Sequence, residues 1–222
     1  MKRLIATVLA MLLSACASIQ LENPAVLSPF GDGTQWIVLQ DMNFKVRLNN
    51  KSTAKIVVPR GFVTDLASTP REIWSLYPPF GKYLTASILH DYLYWQQVCT
   101  REQADKIIYQ AMHDAGVAPA TQTSFFVALD TFGKTAWEEN KAEKAKHLIR
   151  IIPESELEYD FSEENFAKTN LAKMTWEDYR KILSARNASD PVISSDKQLS
   201  KVCASLGNEI EVDAGFVSWF IK

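Results

Sequence analysis

The sequence predicts an α+β protein in which a small N-terminal antiparallel β-meander packs on a mainly α-helical domain. Two observations support this class. Short runs of aromatic and β-branched residues come first along the chain, and longer segments with a helical spacing of apolar residues follow. The hydrophobic content of 47% is enough for one core, so one main domain is expected.

Three segments predict the strands of the meander: Trp36–Gln40, Phe44–Leu48 and Lys55–Val58. Each is short and rich in residues that favour extended backbone. Turn-forming residues separate them at positions 41–43 and 49–52.

Three helices follow. Apolar residues at helical spacing predict a buried central helix over Lys82–Trp95. Thr100 and Gln103 have the spacing of a capping box, which starts a second helix that ends before Gly116. A third helix is expected from Thr121 to Leu129, with a continuation past Gly133 towards Arg150.

Residues 35–150 are therefore predicted to form the core domain, and residues 151–222 a C-terminal extension. The extension has a helical pattern up to Arg186, with a helix start signal at Thr175. Asn187–Ser200 is polar and predicts a linker. Glu209–Val212 and Phe216–Ile221 then favour a closing hairpin.

The N-terminus predicts export. Lys2 and Arg3 precede an apolar run that is too short to span a bilayer, which is typical of a signal peptide covering residues 1–15. Leu13-Ser14-Ala15-Cys16 resembles the bacterial lipobox, so Cys16 is expected to be lipidated and to anchor the chain in a membrane. The alternative is an ordinary secretion signal with an incidental cysteine.

Residues 16–34 are predicted to be a lipidated N-terminus followed by a flexible spacer, because prolines and glycines punctuate a polar stretch. Ala17 follows the cysteine where an aspartate could stand. That pattern resembles lipoproteins sorted to the outer membrane, so a location on that membrane facing the periplasm is expected.

Two cysteines remain once Cys16 is lipidated. Cys99 and Cys203 form an even pair in an oxidising compartment, where a disulfide can persist. Spacing alone leaves two buried free thiols as an equal alternative.

The formal net charge of −2 and the absence of a lysine or arginine run make nucleic-acid binding unexpected. The sequence has no glycine-rich loop of the Walker type, and export also argues against nucleotide-driven chemistry. The expected partners are the membrane, through the lipid, and an envelope protein or the cell wall.

Three short motifs stand out within the core domain. Residues 58–71 read VPRGFVTDLASTPR and contain Asp65. Residues 86–94 read ASILHDYLY and place His90 and Asp91 on an otherwise apolar helix. Residues 101–105 read REQAD and end on Asp105. Charged groups on apolar elements are costly to bury unless they are paired, so these four side chains are expected to converge.

By type, order and spacing, these motifs resemble an uncharacterised bacterial and phage family, domain of unknown function 1353. The resemblance covers residues 36–133 and implies a fold unit and candidate residues, but no reaction. The lipobox and the C-terminal extension depart from a minimal member of that family.

Asp65, His90, Asp91 and Asp105 form the candidate catalytic cluster. Imidazole and carboxylates are ligands of divalent metals such as zinc, so His90, Asp65 and Asp105 could hold a metal that activates water. Successive helix positions point about 100° apart, so His90 and Asp91 cannot both aim at one site. The structural alternative is a core hydrogen bond for His90 and an ion pair between Arg101 and Asp105.

Two functions remain open. The first is a metal-assisted hydrolase of a cell-wall or envelope component. The second is a non-enzymatic lipoprotein of phage or prophage type that binds an envelope protein, for example to exclude competing phage. A purely structural envelope lipoprotein is a third reading.

Overall fold

The structure is a computed structural model and describes residues 17–66, 81–160, 162, 171–191, 196–210 and 212. The described residues form two small antiparallel sheets and six α-helices, which confirms the α+β class. Within these residues no helix is both long enough and apolar enough to cross a membrane.

The first sheet has the strand order β1-β4-β5, formed by Ser18–Leu21, Met42–Arg47 and Thr53–Val58. The second has the order β2-β3-β6, formed by Leu27–Pro29, Trp36–Val38 and Val63–Thr64. All pairings are antiparallel.

The predicted meander is wrong in its pairing. The segments at Phe44 and Lys55 do form a hairpin, in which Phe44 faces Ile56. The segment at Trp36 belongs to the other sheet, where Ile37 pairs with Val63. The period-2 pattern identifies a strand but not its neighbour, so the sequence could not separate the two sheets.

The predicted flexible spacer is also wrong over its described part. Residues 17–34 contain β1 and β2, and Ile19 and Phe30 are buried. β1 pairs with β4 over its whole length, and the backbone amide of Ile19 donates to the Asp114 carboxylate at 2.5 Å. Prolines and glycines in this stretch separate two short strands and do not make a free tether.

The bounds of the three central helices agree closely with the predicted ones. They are α1, Leu84–Gln96; α2, Arg101–Asp114; and α3, Pro119–Ala145. The Thr100 hydroxyl accepts from the Gln103 amide, and the Gln103 side chain accepts from the Thr100 amide, which is the predicted capping box.

The C-terminal extension departs from its prediction. It contains α4, Glu154–Asp160, a 3₁₀ turn at Leu171–Lys173, α5, Trp176–Ala185, and α6, Asp196–Glu209. Thr175 caps α5 as predicted. The linker expected over Asn187–Ser200 is wrong from Asp196 onwards, and α6 also takes up the first residue of the expected hairpin. Phe216–Ile221 lies outside the described residues.

Two hydrophobic cores result. The larger one joins the first sheet to α1, α2 and α6, with Phe44, Trp95 and Leu206 among its members. The smaller one joins the second sheet to α4 and α5 through Ile37 and Tyr179. The extension is therefore part of the packed protein and not a peripheral addition.

A disulfide joins Cys99, which precedes α2, to Cys203 of α6, with their Cα atoms 5.6 Å apart. The two cysteines are 104 positions apart in sequence, and both are buried. The bond thus ties the extension to the core domain.

Replacing both cysteines, C99S/C203S, should lower the free energy of unfolding by about 2–4 kcal/mol, because the unfolded chain regains the entropy of a long loop. Denaturant unfolding with and without a reducing agent measures the effect. Reduction should destabilise the wild type to the level of the variant. An unchanged wild type under full reduction would contradict this role.

Gly61 should tolerate no side chain. It has φ +88°, and an added Cβ would lie 2.3 Å from the Ile152 carbonyl oxygen. Gly61→Ala should therefore cost about 3 kcal/mol of stability. Gly33→Ala is the matched control, since Gly33 has φ +66° with open space around it; it should cost only about 1 kcal/mol. Equal losses in chemical denaturation would contradict the steric argument.

Candidate functional site

The candidate site is organised by α1. Nine of its thirteen residues are buried, His90 among them, so polar groups on this helix need partners from neighbouring elements. His90 and Asp91 are successive residues and point in different directions. Each meets its partners in a different place.

His90 faces α2. Its Nε2 lies 2.9 Å from Oδ1 of Asp105, and both residues are about 5% exposed. The Tyr94 hydroxyl donates to the same carboxylate oxygen at 2.6 Å. Nη1 of Arg101 donates to Oδ2 at 2.9 Å, one helical turn before Asp105. Both oxygens of the Asp105 carboxylate are thus engaged, and we call these four residues the Asp105 network.

The third helix completes this network. Arg101 also donates to the Leu129 carbonyl, and an added Cβ on Gly133 would lie 2.7 Å from the Tyr94 hydroxyl. Gly133 therefore lets α3 approach the network closely. Burial, together with the Asp105 charge, raises the pKa of Tyr94 well above its ordinary value, so this hydroxyl acts as a donor.

Asp91 faces the second sheet. The Thr64 hydroxyl donates to Oδ2 of Asp91 at 2.5 Å, and the Asp65 carboxyl group is also within hydrogen-bonding reach. Asp65 and Asp91 are half-buried, whereas Thr64 is fully buried. We call Asp65 and Asp91 the carboxyl pair.

The electrostatics of the carboxyl pair favour the protonated form of Asp91. Burial raises the pKa of Asp91 well above its ordinary value, and the negative charge of Asp65 raises it further. Arg150 and the Thr64 hydroxyl lower it in part. Two adjacent carboxyl groups cannot both ionise easily, which is one cause of the raised pKa of Asp91.

The backbone that follows β6 fixes the position of Asp65. The Thr64 hydroxyl oxygen accepts from the Leu66 amide at 2.9 Å, while Leu66 itself has φ +71°. Positive φ is strained for leucine, and such strain is frequent at functional sites. The Arg150 guanidinium donates to the Val63 carbonyl and to the Asn140 side chain, which holds its charge near the pair.

A cleft of about 460 Å3 opens beside the Asp105 network. Arg101, Asp105 and Lys106 of α2 line it, together with Phe126 and Asp130 of α3 and residues that follow α6. The two cationic side chains that line the cleft already have hydrogen-bond partners: Arg101 donates to Asp105, and Lys106 donates to the Gly207 carbonyl.

The structure does not join the four predicted residues in one cluster. His90 and Asp105 meet in one network, and Asp65 and Asp91 form a separate pair. Among the described residues no group of three or more His, Cys, Asp or Glu side chains is arranged to hold a metal, so His90, Asp65 and Asp105 do not form the expected ligand set. The reason is the 100° turn between His90 and Asp91.

The signal peptide over residues 1–15 and lipidation at Cys16 fall outside the described residues, as does the end of the first motif, residues 67–71.

The sequence did not predict the roles of three residues that contribute to the site or support it. Tyr94 reads as a core aromatic residue until its hydroxyl is seen on Asp105. Arg150 approaches the carboxyl pair from the end of the core domain. Asp190, in the expected linker, accepts from the Trp95 indole and from the Arg150 and Ile151 amides. Tyr94, the last residue of the segment 86–94, and Thr64, adjacent to Asp65, both lie inside the recognised motifs.

The fold and the site define an α+β domain built around one largely buried helix, α1. Two acidic residues beside or on this helix, Asp105 and Asp91, each have their own hydrogen-bond partners. Residues 36–129 match the sequence model of a family described as proteins of unknown function, DUF1353. The matched segment runs from β3 into α3 and contains the Asp105 network and the carboxyl pair. No curated protein and no solved structure matches the chain.

The Asp105 network should behave as a structural unit. Asp105→Ala leaves Arg101 and His90 without their buried acceptor, so the free energy of unfolding should fall by about 3–5 kcal/mol. Tyr94→Phe removes one hydrogen bond to this carboxylate and should cost less, about 1.5–3 kcal/mol. Denaturant unfolding measures both. A stable Asp105→Ala protein would show that the network does not support the fold.

Proposed function

We propose that the chain is an exported lipoprotein, held by acyl chains on Cys16 at the outer membrane and facing the periplasm. The lipobox supports this location. The Cys99–Cys203 disulfide adds support, because such bonds persist in oxidising compartments outside the cytoplasm.

For the soluble domain we propose a hydrolase that cleaves an amide bond in a cell-wall or envelope component. The carboxyl pair carries the proposal: a protonated Asp91 next to an ionised Asp65 is the arrangement that activates water between two carboxyl groups. Glycoside hydrolysis fits less well, because it needs carboxyl groups about 5 Å or more apart.

The reaction follows from the two protonation states. Asp65 accepts a proton from water as the water oxygen attacks the amide carbonyl carbon, and Asp91 donates its proton to the carbonyl oxygen. The C–N bond then breaks as the amine nitrogen takes up the proton held by Asp65. The carbonyl re-forms as its hydroxyl proton returns to Asp91, so water has been added across the amide bond.

Thr64 and Arg150 would position this pair. The Thr64 hydroxyl holds one Asp91 oxygen, which leaves the other to face Asp65. The Arg150 charge stabilises the single negative charge of the pair. Since the described residues offer no grouped metal ligands, the proposal assigns the acid–base steps to the carboxyl groups.

Asp91→Asn should abolish hydrolysis but should not destabilise the protein at neutral pH. The pKa of Asp91 is higher in the folded than in the unfolded state, so the folded protein binds more protons between those two values. Stability of the wild type therefore falls as pH rises from about 4 through the folded-state pKa. Asparagine removes this dependence, which denaturant unfolding across pH will measure.

The activity test uses the purified full chain and insoluble cell wall, with release of new amino groups as the readout. Asp91→Asn and Asp65→Asn should each reduce the rate by about 100-fold or more. Gln20→Ala, on the exposed side of β1, is the control that should keep full activity. Absence of release by the wild type from pH 4 to pH 8, or full activity of Asp65→Asn, would refute the hydrolase.

A second candidate, a non-enzymatic lipoprotein that binds an envelope protein, is favoured by α3. This helix buries Gln122, Thr123 and Asn140 but leaves Phe132 68% exposed. Phe132 is the most exposed of the large apolar side chains among the described residues, so this candidate places the partner contact there.

Phe132→Asp distinguishes this candidate. It should leave stability unchanged, since the side chain is already in solvent, but prevent crosslinking of the lipoprotein to one envelope protein in intact cells. Thr135→Asp, also exposed on α3, is the control. Identical crosslinked products from all three proteins would count against α3 as the binding surface.

A further inference from the structure

The outer face of the first sheet carries an unusual concentration of positive charge. Lys45 and Arg47 of β4 and Lys55 of β5 are exposed, and Lys51 is exposed in the turn between them. The strands β1, β4 and β5 contain no acidic residue. The chain as a whole has a formal charge of −2, so this basic face is a local feature.

The register of the sheet brings these cations together. Lys45 lies directly opposite Lys55, and Arg47 lies opposite Thr53 on one side and Ser18 on the other. Opposed Cβ atoms in a sheet are about 5 Å apart, and like charges at that distance are destabilising. Within the described residues none of the four cations forms an ion pair.

Two nearby carboxylates do not neutralise this face. Asp114 accepts from the Ile19 amide, and Glu209 accepts from the Asn49 amide. They belong to α2 and α6, whose buried residues pack against the inner side of the sheet. Glu22, just beyond β1, continues the pairing opposite Asn43 and lies at the Lys45 end of the same face, but it forms no ion pair with a described residue.

The same sheet holds the first residues that the structure describes. Ala17 is 7% exposed and is followed at once by β1, whose Ser18 pairs with Arg47. Consecutive Cα atoms are about 3.8 Å apart, so a lipid on Cys16 begins beside this end of the sheet. A domain attached in this way has little freedom to move away from the bilayer.

We propose that the outer face of the β1-β4-β5 sheet docks on anionic phospholipid headgroups, with Lys45, Arg47, Lys51 and Lys55 facing their phosphates. The inference rests on the proposed lipidation of Cys16. Basic residues at a membrane surface contribute jointly with an acyl anchor, and phosphate would relieve the repulsion between Lys45 and Lys55. The lipid retains the protein, and the basic face sets its orientation.

The test uses the lipidated full chain in vesicles of phosphatidylcholine, alone or mixed with phosphatidylglycerol. A water-soluble reagent acylates accessible lysines, and mass spectrometry gives the rate for each site. In the anionic vesicles Lys45, Lys51 and Lys55 should react about tenfold more slowly than in neutral vesicles, and high salt should reverse the protection. Lys181, with its side chain 76% exposed on α5, should react equally in both.

A pair of variants isolates the contribution of charge. K45E/K55E should remain anchored but lose the protection of Lys51. K141E/K181E removes two exposed lysines from other elements and should retain that protection.

The outcomes separate the two proposals. If the protein floats with both vesicle types but Lys45 and Lys55 react as fast as Lys181, the docking face is refuted and the anchor stands. If the protein carries no lipid and does not float with neutral vesicles, the anchor proposal fails. If that unlipidated protein floats with anionic vesicles alone, docking through the basic face is still supported. If it floats with neither vesicle type, docking through the basic face is refuted.

Discussion

The structure depends on satisfying two adjacent polar residues in a helix that is buried on most sides. His90 is buried and Asp91 is half-buried in the core that surrounds α1, so an unpaired charge on either would be costly. Because they point about 100° apart, one partner must come from α2 and the other from the second sheet. The doublet therefore fixes the positions of both neighbours relative to α1.

This requirement explains why the family motifs occur together. Arg101 and Asp105 reach His90 and Tyr94 only if α2 starts where the Thr100 capping box starts it. Thr64 reaches Asp91 only if β6 ends beside α1, where Phe62 also packs edge-on against Tyr92 with ring centroids 5.5 Å apart. Most of the conspicuous polar residues thus have a structural partner. The raised pKa of Asp91, beside a second carboxyl group, distinguishes the carboxyl pair from the rest.

Local signals in the sequence were sufficient for the helices but not for the sheets. Helix limits depend on nearby residues such as Thr100, Thr175 and Gly116, whose capping chemistry can be read directly. Strand partners depend on distant residues, so the separation of β3 from β4 could not be predicted. The same limit applies to the site: helical geometry predicts that His90 and Asp91 diverge, but only the fold brings Asp65 to Asp91 and Arg150 near both.

The basic face shows how a charge pattern can be absent from the sequence and present on the surface. Its four cations are spread over eleven positions, and no run of lysines or arginines marks them. Because side chains alternate along a strand, Lys45 and Arg47 lie on the same, exposed side of the sheet. The hairpin register then places Lys45 opposite Lys55. Such repulsion between like charges destabilises the folded protein. It becomes useful if the proposed anionic surface lies opposite, because a lipid anchor alone would leave the rotation of the domain on the membrane undetermined.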